Sequence, residues 1–174
     1  MVRRMLGRNR SAAILLALLV AALFGAPASA AQSSATVTVR IVKPLSLTSS
    51  GALNFGTITL NSLTAPRTVS LSPLNFLTCG GSAELICSGA TSIPTYNVQG
   101  TNRNVISIIK TSSQLTNSSD GTKLTLTPSG PSSVTLTNSG APGENFTIGG
   151  SITLTPATSA GVYSGVVNVT VDYQ

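Results

Sequence analysis

The chain has 174 residues and a formal net charge of +6, with ten basic residues, four acidic residues and no histidine. Four of the basic residues lie in the first ten positions, and the other six are scattered, whereas nucleic-acid binding requires clustered basic side chains. Without histidine, Ser-His-Asp and Cys-His catalysis are excluded, and we expect no cofactor, no nucleic-acid partner and no enzymatic activity.

The first thirty residues have the three regions of an export signal. A basic head is followed by an apolar run from Ala12 to Phe24, and the small residues Ala28 and Ala30 form a cleavage site. The run is shorter than the ~20 residues that span a bilayer. We expect a signal-peptide helix over 1–30 that is cleaved after Ala30, or alternatively after Ala31, so that no stable membrane span remains. The general export route is favoured over the twin-arginine route.

Residues 31–174 are expected to form one domain, in the periplasm, at the cell surface or outside the cell. Its first element is Ala35–Ile41, in which Ala35, Val37, Val39 and Ile41 alternate with polar residues. Strict alternation predicts a half-buried strand. Such a strand either belongs to the sheet of its own domain or is donated to the sheet of a neighbouring molecule.

Short strand patterns continue after Pro44, and the stretch from Pro73 to Pro94 is predicted to be irregular. It contains Cys79 and Cys87, the only cysteines of the chain. In an exported protein the two are expected to form a structural disulfide. The alternatives are a metal site, which needs more ligands, and a redox pair, which usually has closer spacing.

Strand patterns resume at Thr95 and end with an alternating final strand. A hairpin-type connection is predicted between Thr95–Val98 and Val105–Ile109, and Asp120-Gly121 is predicted to form a tight turn. In the final strand Val167, Val169, Val171 and Tyr173 share one face. Nine or ten short strands with frequent turns predict an all-β, immunoglobulin-like sandwich.

Other candidate sites give weak signals. The four acidic residues are far apart in sequence, which disfavours a pair of catalytic carboxylates. Residues 117–121 imitate part of a calcium loop, but they lack its repeated acidic ligands. The two alternating end strands are therefore the best candidates for a functional surface. The candidate residues for strand exchange or assembly are Val37, Val39, Ile41, Val167, Val169, Val171 and Tyr173.

Several short motifs carry a resemblance to known proteins. They are Ala35–Val39 leading to Pro44–Leu47, Leu53-Asn54-Phe55-Gly56, Gly149–Leu154, and Gly161–Gly165 followed by Val169–Tyr173. In this order they resemble a family of uncharacterised secreted bacterial proteins, which is similar to the spore-coat-U-like secreted pilin domains.

The resemblance implies a pilin-like β-sandwich and a non-enzymatic surface or pilus (fimbrial) subunit. Like subunits or a periplasmic chaperone would be its partners through strand pairing. The alternative is a self-contained secreted binding module that does not polymerise. One departure concerns the cysteines, which lie in mid-chain here but near the start of the domain in typical pilus subunits.

Overall fold

A computed structural model describes residues 30–81 and 83–174. The predicted signal peptide, including Ala28, lies outside the described residues, and Ala30 is exposed. The described residues are all-β, and they contain no helix with the length and apolarity that a membrane crossing requires. The strands are β1 Ser46–Ser50, β2 Thr57–Leu60, β3 Arg67–Leu71, β4 Leu77–Cys79, β5 Leu85–Ser88, β6 Thr95–Gln99, β7 Val105–Thr111, β8 Ser113–Asn117, β9 Lys123–Ser129, β10 Ser133–Thr135, β11 Glu144–Thr147, β12 Gly149–Leu154, β13 Tyr163–Ser164 and β14 Asn168–Tyr173.

One layer is built around a long antiparallel ribbon. Strand β1 pairs with β6, and β2 pairs with β5, in nearly the same register. A single bridge between Asn54 and Ser92 lies between the two ladders. Residues 46–60 and 85–99 therefore act as two long, interrupted strands, and β11 pairs with the other side of β6.

The second layer is wider, and its strands are also interrupted rather than short. Strands β7 and β8 are separated by one residue and pair with β14 and β13 on one side and with β10 and β9 on the other. Strand β12 joins β9 to β3, and β4 forms the far edge. The chain from β11 to β12 crosses from the first layer to the second without a loop.

Two apolar clusters hold the layers together. The first packs Tyr96, Val98 and Phe146 of β6 and β11 against Ile106 and Ile108 of β7. The second packs β2 and β5 against the buried side chains of β3, β9 and β12. Alternation of buried and exposed residues along these strands produces the two faces. The arrangement is a β-sandwich, as the strand patterns predict.

The predicted half-buried strand Ala35–Ile41 is not formed. None of the residues between Ala30 and Leu45 is in a strand, and Val37, Val39 and Ile41 are 89, 76 and 84 % exposed. Alternation indicates a side chain pattern that suits a sheet, but a strand also needs a neighbour for its backbone groups. The described part of this chain supplies none, so the prediction of a strand with one buried face is wrong.

The stretch from Pro73 to Pro94 is more regular than predicted, because it contains β4 and β5. Cys79 and Cys87 are joined by a disulfide with their Cα atoms 5.9 Å apart, as predicted. The ion pair between Arg67 and Glu84, at 2.8 Å, lies in the same region. These strands were missed because they are short and separated by Gly80 and Gly81, which both have positive φ.

The predicted hairpin between Thr95–Val98 and Val105–Ile109 is wrong. Strand β6 pairs with β1 and β11, whereas β7 pairs with β10 and β14. The connection is a crossover between the two layers, because both strands bury apolar side chains in the first cluster from opposite sides. At its start Gly100 is buried, and an added Cβ would lie 2.8 Å from Leu45 Cδ2.

Replacing both cysteines by alanine should lower the free energy of unfolding by about 2.5 kcal/mol, because the disulfide closes a nine-residue loop in the unfolded chain. Urea unfolding of the mature chain measures this. Reduction of the wild-type protein is the matched control and should produce the same loss. An unfolding midpoint that is insensitive to both changes would contradict a structural role for the bridge.

Candidate functional site: an open apolar groove

Two strand edges on the same side of the sandwich lack a neighbour among the described residues. Strands β1 and β2 pair only with β6 and β5, and β13 and β14 pair only with β8 and β7. The two edges run antiparallel, with Leu45 and Tyr173 together near Gly100 at one end. Unpaired edges are templates for pairing with another chain, and most proteins cover or charge them.

Apolar side chains line the space between these edges. We call it the edge groove, bounded by Leu45–Leu60 and by Tyr163–Tyr173. The lining side chains are half-buried, which leaves part of their apolar surface uncovered. They include Leu45, Leu47, Leu53, Phe55, Ile58, Leu60, Leu115, Leu124, Val167, Val169, Val171 and Tyr173.

One end of the edge groove is much wider than the other. There, residues from Ser49 to Leu60 and from Thr158 to Val167 enclose about 1060 Å³. This wide end reaches down to the buried side chains Leu126, Ile152 and Leu154. Its volume lies at the upper end of the range of small-molecule pockets, about 300–1,000 Å³. The space is also long and open, so it has room for an extended stretch of polypeptide.

The wide end carries no charge, since no Asp, Glu, Lys or Arg is among its lining residues. Tyr96 contributes the one buried phenol, and burial raises the pKa of this group above its usual value. The phenol therefore stays neutral at physiological pH. The site favours an uncharged, apolar occupant, because a charged group would lose its hydration without gaining a partner.

The other end of the edge groove is closed by a hydrogen-bonded clamp. The hydroxyl of Tyr173 donates to the carbonyl oxygen of Lys43 at 2.6 Å and accepts from the amide of Thr101 at 2.8 Å. The amide of Lys43 donates to the hydroxyl of Thr101 at 2.6 Å. The end of β14 is thus tied to the residues that precede β1.

Arg40 extends this clamp by two further contacts. Its guanidinium donates to the carbonyl oxygen of Gln174 at 3.0 Å and also to the side chain of Asn104. The guanidinium carbon lies 6.0 Å from the centre of the Tyr173 ring, which is within the range of a cation–π interaction. Residues 40–43 are therefore fixed beside the end of β14.

The predicted assembly residues fall into two groups. Val167, Val169, Val171 and Tyr173 are half-buried along one wall of the edge groove. Val37, Val39 and Ile41 are exposed and in no strand. The opposite wall, with Leu53, Phe55, Ile58 and Leu60, was not predicted. The sequence signal for this wall was the alternation of apolar and polar residues. That alternation is interrupted by Gly56, which has a φ of +74°.

The weaker candidate sites of the sequence are structural. In the stretch 117–121, the Asn117 side chain is buried and bonds to Ser119 and Ala160, and Asp120 accepts bonds from the amide and hydroxyl of Thr122. The Thr122 hydroxyl and amide lower the pKa of Asp120. No group of three or more His, Cys, Asp or Glu residues that could hold a metal occurs in the described part of the chain.

The Tyr173→Phe variant should lose about 1 kcal/mol of stability, since the amide of Thr101 loses its acceptor. It should also be cut faster by trypsin after Arg40, because the clamp is weakened. Tyr163→Phe is the matched control, as its hydroxyl donates to the carbonyl oxygen of Ser159 at the other end of the same wall. Equal cleavage rates after Arg40 in the two variants would argue against the clamp.

Comparison with known proteins places the chain in a family. The model of the family described as "Domain of unknown function (DUF4402)" matches residues 45–173. The match begins at the first groove residue and ends at the clamp tyrosine. No curated protein and no solved structure shows a significant match. Because the match covers most of the chain, the protein belongs to the DUF4402 family.

Proposed function

We propose that the protein is an exported, non-enzymatic structural subunit of a cell-surface or pilus-type assembly, and that it assembles by strand exchange. The observation that carries the proposal is that the same chain has both an exposed, alternating apolar segment and an open apolar groove. Val37, Val39 and Ile41 lie uncovered in the segment. In the part of the chain that the structure describes, no strand pairs with the groove-facing edge of either wall.

Length and charge of the segment suit the groove. Residues 31–44 span about 46 Å when extended, at ~3.3 Å per residue. The wall from Tyr163 to Tyr173 spans about 36 Å on the same measure. From Ala31 to Val39 the segment has no charged residue, and the alternation places Arg40 on the face opposite Val39 and Ile41. A second copy of the chain therefore supplies an occupant of the right kind.

The free energy of such an exchange is favourable only when apolar burial and new backbone hydrogen bonds both contribute. Burial of Val37, Val39 and Ile41 contributes about 1.5–3 kcal/mol each. Ordering the segment costs roughly 1–2 kcal/mol per residue, which exceeds that gain on its own. Each new backbone hydrogen bond adds about 0.5–1.5 kcal/mol. Two unpaired edges offer enough bonds to offset the cost, whereas a surface without edges does not.

The resemblance to spore-coat-U-like secreted pilin domains supports the same function. In pilus subunits a periplasmic chaperone pairs with the final strand before assembly. Here β14 is that strand, and its free edge would need cover during export. A periplasmic chaperone is therefore the second proposed partner. The expected export to the periplasm or cell surface agrees with a disulfide in the domain.

The alternative function is a secreted binding module that stays monomeric. The edge groove would then hold an apolar ligand from outside the chain. This reading leaves the exposed Val37, Val39 and Ile41 without a role, which is why we favour assembly.

The test replaces Val37 and Val39 by aspartate in the mature chain. Wild-type protein should show a ladder of oligomers on gels run without boiling, and the double variant should run as a monomer because a buried charge without a partner is costly. The matched control is Thr36→Asp with Thr38→Asp, which adds the same charge on the other face. Light scattering after size-exclusion chromatography measures the mass of each species.

The control variant should retain most of the oligomers. Because all four positions are exposed in the single chain, thermal unfolding of the monomers should be unchanged. Oligomers that persist in the Val37 and Val39 variant, or a wild-type protein that is monomeric at all concentrations, would overturn assembly by strand exchange and leave the binding module.

A further inference from the structure

We propose that a second cavity, on the outer face of the second layer, binds a saccharide that carries a carboxylate group. We call it the outer cavity. It is bounded by β9, β12 and the loop 155–159, and it encloses about 470 Å³, within the range of small-molecule sites. Leu124 and Tyr163 line both this cavity and the wide end of the edge groove, and so form part of the partition between them. The proposal goes beyond assembly and does not depend on it.

Alternation along β9 and β12 provides the floor of the outer cavity. Leu126 and Ile152 are buried in the core, so the residues on either side of each of them point outward. Ser151 lies opposite Thr127 in the ladder that joins the two strands. The floor is therefore a grid of side chains on neighbouring strands, about 4.8 Å apart. Its members are Lys123, Thr125, Thr127, Ser151, Thr153 and Thr155.

The loop that forms one wall of the outer cavity is held by its own hydrogen bonds. The amide of Thr155 donates to the hydroxyl of Thr158 at 2.8 Å, and the amide of Thr158 donates to the carbonyl oxygen of Thr155 at 2.9 Å. The hydroxyl of Tyr163 donates to the carbonyl oxygen of Ser159 at 2.9 Å. The wall is thus pre-formed, which lowers the entropy that binding costs.

Hydroxyl groups dominate the lining. Nine of the twelve lining residues carry one, and no Asp, Glu, Asn or Gln is among them. A hydroxyl group offers one donor and two acceptor sites. Thr125 accepts a bond from Gln114 at 3.0 Å, and Thr153 shares a bond with Thr68 at 3.2 Å, so both keep capacity for a ligand. The hydroxyl groups of a sugar are donors and acceptors of the same kind.

The remaining part of the lining suits the carbon skeleton of a sugar. Leu124, Ala157 and the ring of Tyr163 supply apolar surface beside the hydroxyl groups. A sugar ring has hydroxyl groups at its edge and C–H groups on its faces. Tyrosine combines an apolar ring with a polar end, so it matches both parts of such a ring.

The charge of the lining indicates an acidic sugar. Lys123 is the one charged residue among those that line the outer cavity, and within the described residues it is in no ion pair. Asp120 lies outside the lining, where its carboxylate accepts bonds from the amide and hydroxyl of Thr122. An ammonium group in a lining without carboxylates favours an anionic group on the ligand. A single cation is too few for a phosphate-rich ligand, which requires clustered basic residues.

Titration of the mature protein with trigalacturonate tests the proposal, with saturation-transfer NMR of the ligand as the measurement. This method detects a small ligand on a monomer and on an assembly alike. Maltotriose is the neutral probe. We expect saturable binding of trigalacturonate, about threefold tighter than that of maltotriose, which is the ratio for one solvent-exposed ion pair.

Two sets of variants assign the binding to the outer cavity. Lys123→Gln should lower the affinity for trigalacturonate about threefold and leave that for maltotriose unchanged. Its control, Arg103→Gln, removes the same charge at an exposed position outside the cavity. Thr127→Val with Ser151→Ala should weaken both ligands about tenfold, since two hydrogen bonds are lost. The matched control makes the same changes on β10, at Thr135 and Ser133, which are exposed.

The other outcomes would overturn the proposal. They are a wild-type protein without saturable binding of trigalacturonate, and losses of affinity in the control variants as large as those in the cavity variants. Maltotriose that binds as tightly as trigalacturonate would refute the acidic class of ligand. The oligomer ladder does not depend on the outer cavity, so it should be the same in all of these variants. The failure of this proposal is therefore distinguishable from a failure of assembly.

Discussion

The backbone N–H and C=O groups along the two free strand edges need hydrogen-bond partners. This requirement is the constraint on which the proposed function depends. A sandwich of this size normally closes its sheets or protects their edges. Here the strands from Ser46 to Leu60 and from Tyr163 to Tyr173 are each paired on one side only in the described chain. The apolar side chains between them are half-buried for the same reason. In the described residues the two layers pack on each other, and no strand covers the groove between their edges.

The clamp at Tyr173 makes the two ends of the edge groove different. It ties the C-terminal strand to the residues that precede β1, and it does so through the backbone of Lys43 and Thr101. One end of the edge groove is closed by these bonds, and the other end holds the uncovered volume. Arg40 and Lys43, which precede β1, are held at this closed end.

The sequence predicted the all-β fold, the disulfide and most of the long strands, because alternation and cysteine use are local or compositional signals. The sequence-based predictions were wrong where the formation of a strand depends on which other strand it pairs with. Ala35–Ile41 and Val167–Tyr173 have the same alternation, but among residues 30–81 and 83–174 only the second pairs with another strand. The groove itself could not be predicted, since it depends on which edges of the two layers remain free. The clamp joins residues 130 positions apart and has no sequence signature.

The central claim is that the segment 35–41 becomes a strand in the edge groove of another copy. Hydrogen exchange of backbone amides in the assembled protein tests it most directly, because only paired amides are protected. The account predicts that amides of residues 35–41 and of β14 are protected in the assembly, and that those of residues 35–41 exchange freely in the isolated monomer. Rapid exchange of residues 35–41 in the assembled protein would contradict it.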